Sequence, residues 1–401
     1  MKKNISIKKI LLTIGLLTTA GFATADTNTK LGDSAGAVNT GVDNTFIGSN
    51  SGFNNTTAGS NTFVGSDSGC KTTTGNGNSF FGHASGRFNT TQTNNSFFGF
   101  NSGYYSGVGA TAGYQGVNNS FFGAWAGHNN RTGHSNTFIG EETGLLNTDG
   151  VQNTFVGRVA GFKNTTGKWN NFFGAWAGHL NTTGVNNVFL GQNTGRNNIS
   201  GSSNVYVGNS AGYNSTGSNN VFLGLNSGRT ATGSNNVFLG HKAGYSAVGN
   251  NKLYIENTSS ETPLIYGEFN TDRVKINGSL YVTTKIATPE VIVEAPTASW
   301  PDYVFASDYK LRSLSEVADH IAEHKHLPGI PSAAEVEKNG ISVSKMVTKQ
   351  MEKIEELTLY LIEKEKKIQA LEKQNEVKDQ ALNSILERLQ ALEKASNTVS
   401  R

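Results

Sequence analysis

A pair of glycines four residues apart recurs thirteen times between residues 31 and 250, and this constrains the fold more than any other feature. The unit reads N-x-F-φ-G-x-x-[A/S/T]-G, where φ is apolar, followed by a polar turn rich in Asn, Thr and Gly. The first glycine of the pair falls at 32, 48, 65, 82, 99, 123, 140, 157, 174, 191, 208, 224 and 240, in steps of 16 or 17 with one step of 24. The residue before the second glycine is always Ala, Ser or Thr. From the second unit onward the position two before the first glycine is Phe, with Tyr206 the single exception, and two before that stands Asn, from Asn44 to Asn236.

A fixed short period of this kind specifies a stack of identical turns. N-x-F-φ-G alternates with period 2, as a short strand does. The glycines end the strand where a coil bends and a side chain would collide. Stacking at ~4.8 Å brings like residues into register, so the asparagines form a hydrogen-bonded ladder and the Phe rings a stack. The expected fold for residues 26–250 is therefore a mainly β, parallel β-solenoid shaft of 13 coils, roughly 60 Å long. High glycine (48) with little proline (6) fits an ordered repeat rather than a linker.

Phe and the apolar residue after it (Phe46-Ile47, Phe138-Ile139, Phe222-Leu223) are strand neighbours and point to opposite faces. One ladder fills the core. The other becomes an apolar stripe along the shaft, which a partner normally covers. Side-by-side association into a homo-oligomer, with a trimer favoured, is the expected solution. The first coil has Lys30 in the Phe position, as suits an atypical end coil. The 24-residue step inserts a loop at 104–116 bearing Tyr104, Tyr105 and Tyr114. Insertions in solenoids often lie on a binding face, so these tyrosines are binding candidates beside structural padding. Trp125 and Trp176, in two copies of FFGAWAGH, are the others, either as exposed sugar or protein contacts or as packing.

Outside the shaft, residues 1–25 read as a signal peptide: Lys2, Lys3, Lys8 and Lys9, then an apolar run from Ile10 to Phe22, then Ala23-Thr24-Ala25 before Asp26. The run is shorter than the ~20 residues that span a bilayer, and no later segment is apolar enough for a membrane helix, so an exported, cell-surface or extracellular chain is expected. A lone Cys70 forms no intrachain disulfide and reads as a small buried residue. Net charge is +3 from 33 basic and 30 acidic residues, which gives no nucleic-acid footprint.

Residues 251–296 read as a β neck, with strands at Asn251–Glu256, Pro263–Phe269, Val274–Gly278 and Ser279–Val282. Residues 297–344 form a small mixed junction with a helix at Ser315–His324 and a second from Ala333. Residues 345–394 carry six heptads. The a sites are Ile354, Leu361, Ile368, Asn375, Leu382 and Leu389, and the d sites Leu357, Lys364, Leu371, Lys378, Ile385 and Leu392. Nine of these twelve are Leu or Ile, which specifies a coiled coil, and 395–401 reads as a disordered tail.

The repeats, in words such as TGSNNVFLG at 216–224 and 232–240, resemble the YadA-like head of trimeric autotransporter adhesins. That resemblance implies a left-handed parallel β-roll, three chains side by side, and adhesin-like binding of host, glycan or cell-surface ligands. The words WPDYVF at 300–305, HLPGIPS at 326–332 and KIEELTLYLI at 353–362 resemble a C-terminal domain of exported tail-fibre-like proteins of Bacteroidetes-type bacteria. The second resemblance leaves a ligand-free structural spacer as an alternative. Its position is analogous to a self-cleaving endosialidase-type chaperone, and Ser307-Asp-Tyr-Lys310-Leu is superficially similar to that chaperone's Ser-Lys word, with a different Lys spacing. No Walker loop, zinc spacing or nucleophile elbow is present, and the expectation is a non-enzyme without cofactor. His320, His324 and His326 could recruit a metal or form a solvated helix end; the latter is favoured, and no metal site is assigned.

Overall fold

The computed structural model describes residues 27–293 and 300–399, with backbone alone for 395–399. The leader, Asp26 and the expected boundary at 296/297 lie outside the described residues. Two compact units divide at Tyr281/Val282.

In the first unit every repeat contributes one three-residue strand centred on its aromatic, from β1 (Thr29–Leu31, with Lys30 in that place) to β13 (Val237–Leu239). Each pairs in parallel with the next, aromatic opposite aromatic: Phe172, Phe189, Tyr206 and Phe222 stand in one row. The parallel stack does not stop at 250. β14 (Lys252–Ile255) joins β13 in parallel with Tyr254 opposite Phe238, so the first segment assigned to a neck is a further coil of the shaft. β15 (Ile265–Glu268) and β16 (Arg273–Ile276) then return antiparallel and end the sheet. The strand expected at 279–282 does not form. Leu280, Tyr281 and Val282 are 63%, 88% and 40% exposed, so no face of the segment is buried to hold it as a strand.

The core is one residue wide. Twelve aromatics, Phe46 to Phe238 with Tyr206 among them, are fully buried. From Phe63 to Phe238 consecutive rings lie 4.7–4.9 Å apart and within 5–8° of parallel. At the ends the rings tilt, by 36° at Phe46–Phe63, beside Lys30 in the ladder position, and by 46° at Phe238–Tyr254, beside the antiparallel strand that bears Tyr266. Burying each ring contributes ~1.5–3 kcal/mol, and stacking adds ~0.5–1.5 kcal/mol.

Both glycines of the pair are required by close approach. Gly174 has φ +133°, and a Cβ there would lie 2.5 Å from the Gly191 carbonyl oxygen of the next coil. Gly178 has φ +57°, and a Cβ would lie 2.3 Å from Cε2 of Phe172 in its own coil. The second glycine therefore closes the coil over its own aromatic.

The asparagine ladder forms, through the backbone as well as side chain to side chain. Asn136 Oδ1 accepts from the Asn153 backbone N–H at 3.0 Å, while Asn136 Nδ2 donates to the Gly150 carbonyl at 2.8 Å. A second ladder, not anticipated from the repeat, runs through the turn: Asn147, Asn164 and Asn181 each donate Nδ2 to the preceding Asn Oδ1 at 2.6–2.8 Å. Buried Ser and Thr before the second glycine add rungs, as where Ser85 Oγ donates to the Phe97 carbonyl at 3.1 Å. Among the described residues these pairings leave few polar atoms unpaired in a core that buries many asparagines.

In the second unit Pro301–Phe305 is a 3-10 turn, followed by α1 (Leu314–His324), α2 (Ala333–Asn339) and α3 (Val343–Val399). Ser313 and Ser332 start α1 and α2 with reciprocal capping boxes to Glu316 and Glu335. Tyr303 and Tyr309 donate to Glu352 and Glu356 of α3, and Lys353 bridges those two carboxylates at 3.0 and 2.8 Å. Helical backbone continues through 395–399, a stretch read from sequence as disordered tail.

Candidate binding faces of the shaft

With the aromatic of each strand turned inward, the residues on either side of it share the outer face. The column after the aromatic is apolar throughout: Ile47, Val64, Phe81, Phe98, Phe122, Ile139, Val156, Phe173, Leu190, Val207, Leu223, Leu239. Phe81, Phe98 and Phe122 stack on one another outside the core at 4.7–4.8 Å. The column before it is Thr, Ser or Asn up to Asn171 and Val from Val188 onward, so over the last four repeats the outer face is two apolar residues wide. Leu190 and Leu223 are each nearly half exposed.

The five sequence candidates fall in three places. Tyr104, Tyr105 and Trp125 gather in one aromatic cluster. Tyr104 stacks on His128 at 5.1 Å, Tyr105 stacks on Phe88 at 5.3 Å, and Trp125 meets His128 at 4.7 Å and Phe100 at 5.5 Å. Arg87 donates to Tyr104 Oη at 3.2 Å. Tyr104 and Tyr105 are half-buried. Tyr114 stands apart, 66% exposed, with its ring edge-on to His134 at 5.8 Å. The loop is held from below by Gln92, buried to 4% exposure, against which Gly107 and Gly116 leave no room for a Cβ. Trp176 is three coils from Trp125 and lies between the guanidinium groups of Arg196, 4.4 Å from its ring, and Arg158, at 5.9 Å. Burial holds the imidazoles of His128 and His179 below the usual histidine range, with Arg196 and Lys163 adding to the effect at His179.

Sequence reading missed the column just after the second glycine. It runs His179, Arg196, Tyr213, Arg229, Tyr245, an alternation visible only when the repeats are aligned. Arg196 and Arg229 each donate Nη1 to the tyrosine of the next coil, Tyr213 and Tyr245, at 2.8 Å.

In the second unit His320, His324 and His326 come together, with ring centroids 4.4–6.0 Å apart. Among the described residues no group of His, Cys, Asp or Glu is arranged to hold a metal ion. Ser307 and Lys310 share no hydrogen bond; Tyr309 between them is tied to Glu356. Cys70 is buried and unbridged, and burial pushes its thiol up. Among the described residues no helix is long and apolar enough to cross a membrane. No family model, curated protein or solved structure matches the chain.

Proposed function

We propose that this chain is an exported fibrous surface protein, assembled side by side as a trimer and acting by adhesin-like binding of surface ligands. The observation that supports it is the unbroken apolar column on the outer face of the shaft, which a single solenoid leaves in water. A contiguous apolar strip of this length on a β-face marks an association surface. The second unit makes the same demand. From Leu361 to Lys394 every residue of α3 is exposed, including Leu361, Ile368, Leu382, Ile385 and Leu389 of the heptad seam. Burying each of these side chains is worth ~1.5 kcal/mol or more, so parallel pairing into a coiled coil is favoured. Two interfaces on one chain reinforce each other through effective concentration.

The kind of surface presented supports a binding reading: a rigid array of repeated columns, on which the side chains recur coil after coil. A spacer role is the second reading, favoured by the sealed, ladder-bonded core. Sedimentation equilibrium of the mature protein tests the assembly, and a glycan and matrix-protein binding screen tests the activity. A trimer that retains a surface ligand is the expected result. A monomer at micromolar concentration removes the fibre reading, and an assembled chain that binds nothing leaves the spacer.

A further inference from the structure

The near-neutral net charge conceals a strong division along the shaft. Residues 26–149 carry seven Asp and Glu against four Lys and Arg. Residues 150–255 carry no Asp or Glu, and seven Lys and Arg: Arg158, Lys163, Lys168, Arg196, Arg229, Lys242 and Lys252. In a rigid stack this segregation in sequence is segregation in space, and the last coils of the shaft form one positive stretch.

Within that stretch the cations are organised. Backbone N–H groups of Leu180, Asn197, Asn214 and Thr230 donate to the carbonyls of Arg196, Tyr213, Arg229 and Tyr245 at 2.8–2.9 Å, so the four residues sit directly above one another. Arginine and tyrosine alternate. Arg196 lies 5.6 Å and Arg229 5.2 Å from the Tyr213 ring, and Arg229 lies 5.9 Å from Tyr245. The tyrosines hold the guanidinium planes in place, which lowers the entropy lost on binding an anion. Arg196 and Arg229 fall two coils apart, ~10 Å along the axis, whereas Arg158 follows the first glycine of its coil and stands outside the column. Arg158 is already paired with Glu141 at 3.0 Å. Among the described residues Arg196 and Arg229 have no carboxylate partner, and Nε of Arg229 is buried without any hydrogen bond.

We propose that this column, with Lys163 beside it, binds a linear acidic polysaccharide lying along the shaft, its carboxylate or sulfate groups taken up by Arg196 and Arg229. Two guanidinium groups held at a fixed spacing suit a polymer whose anions recur at a matching distance. The two faces of Trp176 and of Tyr213 are already covered by arginines, so these rings offer no platform on which nucleic-acid bases stack. The inference deepens the adhesin-like reading and rests on it.

The test is binding of the full mature chain to immobilised polygalacturonate and heparin, with dextran as the neutral polymer and duplex DNA as the competing polyanion. The expected result is salt-sensitive binding to an acidic polysaccharide and none to dextran. R196Q/R229Q should weaken it by about tenfold or more, since each arginine supplies charge-assisted hydrogen bonds. Should that double variant misfold by circular dichroism, a charge-matched pair decides. K163Q, next to the column near His179, weakens binding, whereas K168Q, near His134, does not. Equal binding by K163Q and K168Q, or displacement by duplex DNA as effective as by polysaccharide, overturns the proposal. If binding survives R196Q/R229Q in a chain that still assembles, the fibre reading stands and this column is not its site.

Discussion

Tyr206, the one tyrosine in the core ladder, donates its hydroxyl to Ser215 Oγ at 3.1 Å, both side chains fully buried. Nine residues separate them, and in the five coils from Asn130 to Asn198 the place of Ser215 is held by asparagine. The exchange of Phe for Tyr and of Asn for Ser occurs in the same coil. It also ends the second asparagine ladder, leaving Asn198 Oδ1 buried with no donor.

The pair predicts that each change alone is destabilising and that restoring the neighbouring coil's pattern at both positions is not. Ser215→Ala strands a buried phenol and costs ~1–3 kcal/mol. Tyr206→Phe costs ~1 kcal/mol. Tyr206→Phe/Ser215→Asn rebuilds the neighbouring coil's pattern and gives Asn198 a donor, so it should unfold at a denaturant midpoint no lower than the parent. Urea unfolding of the three variants checks this, and a double variant with a midpoint below the parent's contradicts it.

Gly178→Ala tests the closure of the coil. The new methyl would lie 2.3 Å from Phe172, at a φ of +57°. Left-handed backbone costs ~1–2 kcal/mol and overpacking a further ~1–3 kcal/mol. Gly113→Ala, where nothing lies within 4 Å, is the control and should be nearly neutral. Hydrogen exchange should report the loss of protection around β9 (Asn171–Phe173) and its neighbouring coils.

Leu190→Lys/Leu223→Lys places two charges on the outer apolar column without touching the core. The monomer fold should persist by circular dichroism, while the sedimentation mass falls toward that of one chain. Ile368→Lys/Ile385→Lys in α3 should weaken assembly independently. An unchanged mass in both double variants would remove the outer column and the helix seam as interfaces.

His128 and His179 have folded-state pKa values below the unfolded value, chiefly through burial. The unfolded chain therefore takes up protons first as pH falls. Their contribution to stability is complete above the unfolded value of about 6.5 and is lost as pH falls toward the lower folded value. The melting temperature should decline on acidification through that window, and His128→Asn/His179→Asn should flatten the decline. A melting temperature that rises on acidification through the same window would contradict the assignment.

What the sequence determined by itself is everything that repeats. The spacing of Gly174 and Gly178, the inward Phe172 and the buried Asn170 are local demands of one coil. Stacking copies them without choice, so strand order, register and the apolar outer column were all legible. The helices expected at Ser315–His324 and from Ala333 were legible too and form as Leu314–His324 and Ala333–Asn339, while their serine caps came only with the structure. What only the tertiary structure decided are relations between neighbouring coils. The alternation of Arg196, Tyr213, Arg229 and Tyr245 has no meaning along the chain, where 16 or 17 residues separate each from the next. It becomes a charged column only when coils lie in contact. The extra coil at Lys252–Ile255 was hidden for the same reason: it lacks the glycine pair, and pairing with β13 rather than a motif makes it part of the shaft. Backbone hydrogen bonds across the open edge of β13 supply that pairing.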